Sequence, residues 1–260
     1  MLNYLSAELY KLRHKKSLFI GMAVLLGLES LLFTPNLWME DTPTADALAL
    51  FLDTLLPLGL FLAPVFAVLV FDDQYGQGTM KNEVVFGVPK SRIYLGKLLT
   101  GMVTGTLAAA VAVGWYLLLC VLTAGPLGTQ TPWGLMLLDM VGAWLTWLAA
   151  FSFAIFLLFS MRSTTGAMIL AYLVAFVGTP VGIVGVGESA APWIKLMVNL
   201  FYSAPYQRFW LWGKGTVPLL PGYAQSIDWT PLNHALVVCV VWVGGCTALG
   251  LLRLRRREIK

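Results

Sequence analysis

Residues 71–100, FDDQYGQGTMKNEVVFGVPKSRIYLGKLLT, form the one long stretch between two apolar segments that carries a dense mixture of both charge signs. Within this stretch, residues 79–86 follow a short helical pattern, which Gly87 and Pro89 are expected to end. Ser91 is predicted to be the N-cap of the next helix, which leads into the following apolar segment. A short helix braced between two apolar segments is suited to being pushed by a partner, although an ordinary solvated loop fits the pattern equally well.

The composition of the chain indicates a membrane protein. The 260 residues are 58% hydrophobic and only 12% charged, and a soluble domain of this size could not bury so much apolar surface. The net charge of +4 does not point to nucleic acid, because the basic residues lie at the boundaries of apolar segments. We therefore expect an all-α polytopic membrane protein with a single domain, residues 1–260, embedded in a lipid bilayer.

Six apolar segments have lengths near the roughly 20 residues that a membrane-spanning helix needs. An amphipathic helix within residues 1–16 is predicted to lie along the membrane surface before the first of them. A long aromatic-rich segment, residues 187–231, precedes the last and is expected to contain half-inserted or interfacial helices. The predicted spans are residues 17–33, 47–71, 100–124, 134–160, 166–186 and 232–252.

The positions of the basic residues predict the orientation. Both termini and two loops, residues 72–98 and the short link around Arg162, carry 14 of the 17 Lys and Arg residues. By the positive-inside rule these parts are cytoplasmic, and residues 187–231 are extracellular. The expected location is a bacterial-type cytoplasmic membrane, crossed several times, with the N- and C-termini in the cytoplasm.

Signatures of enzymes are missing from the sequence. There is no phosphate-binding GxxxxGK[ST] loop, no HExxH and no Gly-x-Ser-x-Gly, and the two histidines, His14 and His234, flank apolar segments. The three cysteines fall inside apolar runs and are interpreted as core residues. We expect no catalytic residue, no metal site and no cofactor in this chain.

A few residues within the apolar segments are candidates for a substrate path. An ionisable side chain inside a membrane costs a few kcal/mol, so each needs a reason. One face of the second span could line a polar path or pack closely against a neighbour. The fourth span, with Trp144 and Trp147, could line a cavity, although we favour core packing. Glycine and proline in the fifth span predict that its outer half is broken. The candidates are Glu29, Asp53, Pro57, Pro64, Asp139, Gly178 and Pro180.

Two stretches resemble the ABC-2 type permeases, the membrane subunits of ATP-driven exporters. AELYKLRHKKSLFI is similar to their amphipathic start. Residues 72–99, with Gly78-Thr79, Ser91-Arg92 and Gly96-Lys97, are similar to the loop after their second span. Many of these permeases carry Glu near the start of that loop, where this chain has an acidic Asp-Asp pair. In detail the chain resembles the branch associated with lantibiotic and bacitracin immunity.

The resemblance implies a mechanical role for the cytoplasmic loop. The helix at residues 79–86 would be a coupling helix that fits into a cleft of a separate ABC ATPase, which binds ATP and Mg²⁺. The complex would contain two ATPase subunits and a second permease, identical or related. The substrate path would lie between the permeases, lined by spans two and five. The residues assigned to ATPase coupling are Asp72, Asp73, Thr79, Met80, Lys81, Asn82, Glu83 and Phe86.

The sequence thus favours the membrane subunit of an ABC exporter that moves an amphiphilic, lantibiotic-like peptide or a hydrophobic drug. A second hypothesis is a secondary transporter driven by protons, with Glu29, Asp53 or Asp139 as the titrating group. A third is a sensor or scaffold that recruits a soluble partner without transporting anything.

Overall fold

The computed structural model describes residues 2–37, 59–60, 62–71, 83–124, 133–161, 163–184, 191–201 and 229–256. The chain contains no strand within these ranges. Apolar runs of this length form helices in lipid because a helix satisfies its own backbone hydrogen bonds. The helices are α1 (Leu2–Arg13), α2 (Lys16–Leu37), α3 (Leu62–Phe71), α4 (Lys90–Ala124), α5 (Trp133–Ser160), α6 (Thr164–Val184), α7 (Pro192–Asn199) and α8 (Thr230–Arg256).

Three of the described helices contain segments that are long and apolar enough to cross a membrane, and two shorter apolar helices accompany them. All five overlap the predicted second to sixth spans, and α2 contains the predicted first span. An all-helical protein with apolar spans is therefore confirmed, whereas the number of six spans stays a prediction. The long segments are Lys90–Leu119, Met140–Ser160 and Leu232–Arg256, and the short ones are Leu62–Phe71 and Thr164–Ala175.

The fifth apolar segment differs from the expectation of a broken outer half. α6 is helical without interruption from Thr164 to Val184, through Gly178, Pro180 and Gly182. A proline removes only one backbone hydrogen bond from a helix, and apolar surroundings offer the remaining backbone groups no better partner than the helix itself. The expectation was therefore wrong for the residues up to Val184.

The start of α4 also differs from the prediction, because Ser91 is not its N-cap. The helix begins at Lys90, and the backbone amides of Arg92 and Ile93 donate to the carbonyl of Pro89 at 2.9 and 3.2 Å. Pro89 suits a helix start because its φ is fixed in the helical range and it has no N–H to leave unbonded. With 35 residues, α4 is about 50 Å long. It therefore exceeds a hydrocarbon layer of about 30 Å.

The helices meet at one end of the bundle through basic side chains that bind the last carbonyls of other helices. Lys15, at the start of α2, donates to the carbonyl of Leu69 in α3 at 2.9 Å. Lys90 of α4 donates to the carbonyl of Leu254 in α8 at 3.5 Å, and Arg253 donates to the carbonyl of Ser160 in α5 at 3.2 Å. The C-terminal carbonyls of a helix lack intrahelical partners and carry partial negative charge, so these contacts stabilise the ends.

This arrangement fixes the relative directions of the helices. The N-terminal ends of α2 and α4 lie together with the C-terminal ends of α3, α5 and α8. α5 and α8 run side by side in the same direction and share the most extensive helix contact, while α4 runs antiparallel to both. We call the end at which these termini meet the basic end.

An aromatic cluster near the basic end holds four helices together. The rings of Phe71 and Phe159 meet edge to face with centroids 4.8 Å apart, and Tyr94 lies 4.9 Å from Phe159. The hydroxyl of Tyr94 donates to the carbonyl of Cys246 at 3.0 Å. Gly250 lets the ring of Tyr94 approach α8, because a side chain there would occupy the space of the ring. This cluster joins α3, α4, α5 and α8 close to the loop that the sequence singled out.

Candidate functional site

The described part of the predicted coupling helix ends where the sequence indicates. Residues 83–85 are helical, and Gly87 has a φ of +82°. The amide of Val88 donates to the carbonyl of Glu83, and the amide of Gly87 to that of Val84, both at 3.0 Å. These two bonds form a Schellman motif, in which glycine adopts the left-handed conformation that ends a helix. The other coupling residues, Asp72, Asp73, Thr79, Met80, Lys81 and Asn82, lie outside the described residues.

The side chains at this helix end point in two different directions. Val85 and Phe86 are 78% and 85% exposed. Glu83, by contrast, is bonded to α1: the hydroxyl of Tyr4 donates to its Oε2 at 2.9 Å, and Lys11 Nζ lies 3.7 Å from its Oε1. Glu83 therefore attaches this end of the loop to α1, whereas the side chains of Val85 and Phe86 point away from the bundle.

The contacts of Glu83 belong to a larger group of polar side chains that we call the anchor cluster, formed by Tyr4, Glu8, Lys11, Glu83 and Lys97. Glu8 and Lys97 are only 2% and 5% exposed and form an ion pair. Lys97 also donates to the carbonyl of Val70 in α3 at 3.3 Å, and Lys11 donates to Glu8 at 2.7 Å. Buried charges require such partners because desolvation alone would cost several kcal/mol. The cluster connects α1, the loop, α3 and α4.

Lys11 sits at the solvent edge of the anchor cluster. Burial alone would lower the pKa of Lys11, but the hydrogen bond with Glu8 and the negative charges of Glu8 and Glu83 raise that pKa above its ordinary value. Lys11 therefore stays charged at neutral pH and bridges the two carboxylates.

Gly96 completes the contact between α1 and α4. A side chain at Gly96 would occupy the space taken by the ring of Tyr4. The pair Gly96-Lys97, singled out in the sequence, thus has two separate tasks: the glycine admits the ring of Tyr4, and the lysine pairs with Glu8. Sequence reasoning missed Tyr4 and Glu8, although an acidic residue one turn before Lys11 in an otherwise basic helix was a usable signal.

A second feature is a cavity of about 70 Å³ between α2, α3, α4 and α5. Its walls are apolar and consist of small residues of α4, such as Gly105 and Ala108, together with aromatic rings of α5. Trp144 and Trp147 both line it, and Trp147 also packs against the hydrophobic core, so the fourth apolar segment combines both of the predicted alternatives. Among the described residues of this lining, Glu29 of α2 is the charged side chain.

Glu29 is almost completely buried in the cavity wall. It is 4% exposed, and neither carboxylate oxygen has a hydrogen-bond partner among the described residues. Two other polar side chains of the wall are bonded: Trp144 Nε1 donates to Thr106 Oγ1 at 2.9 Å, and Thr106 Oγ1 donates to the carbonyl of Met102 at 2.7 Å. Glu29 therefore presents a free acceptor group to an apolar space.

Of the predicted path residues, Glu29 and Pro64 are the two whose side chains the structure describes. Pro64 is buried in α3 but does not contribute to the cavity lining. Asp139 lies in α5, and Gly178 and Pro180 lie in α6. Asp53 and Pro57 lie outside the described residues. Only Glu29, of this predicted set, is described in the wall of the cavity.

Within the described ranges no three His, Cys, Asp or Glu side chains come together as metal ligands do. Cys239 and Cys246 are buried in α8, where they pack as small apolar residues. The described residues thus provide ion pairs, close helix contacts and an apolar cavity.

Comparison with known proteins assigns these features to a family. The sequence profile of one family, described as ABC-2 family transporter protein, matches residues 4–178. The match includes α1 from Tyr4 onward, the residues of the anchor cluster and all four walls of the cavity. No curated protein matches the chain significantly. Since the matched region is well over half of the 260 residues, the chain belongs to the ABC-2 family of transporter proteins, the membrane subunits of ABC transporters.

Proposed function

We propose that the chain is the permease subunit of an ATP-driven exporter that moves an amphiphilic, lantibiotic-like peptide or a hydrophobic drug out of the bilayer. The family implies an ABC ATPase as partner. In this proposal two ATPases bind a pair of permeases, identical or related, in a bacterial-type cytoplasmic membrane. Each permease has six spans, and its basic end, with both termini, faces the cytoplasm. The lantibiotic and bacitracin immunity branch is the proposed place of the chain within the family.

The observation that carries the proposal is the connection from Glu83 to α1 and α4. Val85 and Phe86 offer the ATPase an exposed apolar contact directly beside the anchored Glu83. Two adjacent, large and exposed apolar side chains suit a binding surface, and aromatic residues commonly dominate binding energy.

A displacement of Val85 and Phe86 by the ATPase would be transmitted to the helices by two routes. Through Val88 and Pro89 it reaches α4, which continues as one helix for 35 residues. Through Glu83 it reaches α1, whose Glu8 holds Lys97, which in turn binds the last turn of α3. Buried ion pairs with fixed partners transmit displacement because separating them is costly. The two routes together move α3 and α4, the predicted second and third spans.

The test is ATPase coupling in a reconstituted complex. Phe86→Asp should lower the substrate-stimulated ATP hydrolysis of the partner by about thirtyfold, because an aromatic anchor at a binding site contributes about 2 kcal/mol. Phe19→Asp is unsuitable as a control because it places a charge toward lipid, so the matched pair is Phe86→Ala with Phe19→Ala, both at exposed positions. Equal ATP hydrolysis in these two alanine variants, together with unchanged hydrolysis in Phe86→Asp, contradicts the proposal.

The unpartnered Glu29 favours a second candidate, a proton-driven secondary transporter. In that case an imposed proton gradient drives transport by the chain without any ATPase, and the loop tolerates Phe86→Asp. Transport that requires ATP and fails with Phe86→Asp excludes this candidate.

A further inference from the structure

We propose that the cavity between α2, α3, α4 and α5 binds the ammonium end of a lipophilic amine, with Glu29 as its counter-ion. The role of such an amine as a transported substrate rests on the proposed function, whereas its binding does not. This inference places a ligand site inside one subunit, apart from any path formed between two permeases.

The charge of Glu29 and its apolar surroundings indicate that the head group of the ligand is a cation. A buried carboxylate without a partner costs several kcal/mol, so an ionisable group at such a depth indicates a functional site. Glu29 is 13 residues after Lys16, which starts α2, and thus lies about 20 Å into the bundle from the basic end. Among the described residues of the lining, no side chain is basic, and Trp144 Nε1 is already bonded to Thr106, so we expect the cation to come from the ligand.

The two tryptophan residues of the cavity also favour the binding of an ammonium group. Trp144 and Trp147 line the space that Glu29 faces. The face of an indole ring attracts ammonium groups electrostatically, and this attraction grows when water is excluded. A carboxylate and two indole rings around an apolar space are a combination that suits a primary or substituted ammonium with a hydrocarbon body.

The size and position of the cavity indicate what kind of hydrocarbon tail the ligand carries. A volume of about 70 Å³ holds a head group and its first carbons but not a whole amphiphile. Trp144 is partly exposed at the outer surface of the bundle, so the rim of the cavity reaches the side that faces lipid. A single alkyl chain can therefore leave the cavity past this rim and remain among the lipid tails.

Gly105 provides a second way to test the site without changing its charge. A Cβ at Gly105 would meet no other atom within 4 Å, and this residue lines the cavity. A leucine there would fill the space that the ligand needs. Gly114, on the same helix, is equally open but does not line the cavity, and it is the matched control.

The experiment measures binding to the purified chain in lipid nanodiscs, without ATPase or ATP, by equilibrium dialysis against empty nanodiscs. Octylamine is the probe, and 1-octanol is its uncharged counterpart. We expect saturable binding of octylamine and none of octanol. Glu29→Gln should weaken octylamine binding by about tenfold or more, since it removes one charge-assisted contact. Gly105→Leu should weaken it as well, while Gly114→Leu should bind as the unaltered chain does.

Three results overturn the inference: equal octylamine binding by Glu29→Gln, equal saturable binding of octanol, or full binding by Gly105→Leu. Glutamine has the shape of glutamate, and thermal unfolding of each variant in the nanodisc shows that a loss of binding is not a loss of fold. Because the measurement contains no ATPase, a failure of ATP-driven export leaves its result untouched. Likewise, loss of amine binding leaves coupling through Phe86 intact, so the two proposals fail separately.

Discussion

Lys97 of α4 forms a buried ion pair with Glu8 of α1, although the two residues lie 89 positions apart in the sequence. Lys97 also donates to Val70 at the end of α3, so one ammonium group joins three helices at the basic end. The N-terminal helix is thereby a structural part of the bundle and not merely a membrane anchor. The same helix binds Glu83 of the loop through the hydroxyl of Tyr4.

Replacement of Lys97 should destabilise the fold strongly. Lys97→Met leaves Glu8 buried with Lys11 as its remaining partner, and breaking a buried ion pair in this way costs about 3 kcal/mol. The double variant Glu8→Leu and Lys97→Met should recover part of this loss, because no uncompensated charge remains. Thermal unfolding in lipid nanodiscs measures both. Arg92→Met, at an exposed position of the same helix, is the control. If it unfolds at the same temperature as Lys97→Met, the ion pair contributes nothing.

The hydroxyl of Tyr4 should matter more for coupling than for stability. Tyr4→Phe removes one hydrogen bond to Glu83, which is worth about 1 kcal/mol, and leaves the ring against Gly96 in place. We expect a small decrease of the unfolding temperature but a clear reduction of substrate-stimulated ATP hydrolysis by the partner, because the loop loses a connection to α1. Tyr10→Phe is the matched control, since Tyr10 is exposed on the same helix. Equal stimulation in the two variants contradicts this assignment.

Two glycines of α4 should respond oppositely to alanine. At Gly96 the new methyl group collides with the ring of Tyr4, so α1 must shift, and overpacking of this kind costs about 1–3 kcal/mol. At Gly105 the space is open, and the change should stay within about 0.5 kcal/mol. Unfolding temperatures of the two variants in nanodiscs provide the comparison. A Gly96→Ala variant as stable as Gly105→Ala would show that α1 does not pack closely on α4.

The sequence predicted the helices well because hydropathy and turn residues act locally. The apolar runs became helices, and Gly87 ends a helix since glycine alone reaches a φ of +82° without strain. Ser91 was misassigned because its side chain has capping chemistry, yet Pro89 two residues earlier already has the backbone geometry of a helix start. Pro180 was read as a break although apolar surroundings favour a continuous helix.

The two candidate sites could be predicted only in part. Glu29 was identified, because any carboxylate in an apolar run is conspicuous, but the walls around it come from three other helices. The partner of Lys97 was not identifiable, since no local pattern specifies which of several acidic residues a distant lysine meets. Contacts between remote helices depend on helix packing, which a single sequence does not display.

The orientation of the chain can be tested by cysteine labelling. His14 and Arg255 lie near the basic end, whereas α7 lies at the opposite end of α8, where His234 binds the carbonyl of Asn199 at 2.6 Å. α8 has 27 residues and is about 40 Å long, which separates these positions by a membrane thickness. Exposed positions on the two ends should therefore face opposite sides of the membrane.

In a background without the three native cysteines, a membrane-impermeant maleimide added to intact cells should label Trp193→Cys but neither His14→Cys nor Arg255→Cys. After the cells are opened, all three should react, because each position is exposed and thus accessible once the reagent reaches its side. By the positive-inside rule, the end at which Lys15, Lys90 and Arg253 bind the ends of other helices is expected to face the cytoplasm. Labelling of Arg255→Cys in intact cells would place the loop and its exposed Phe86 outside, where no ATPase could reach them.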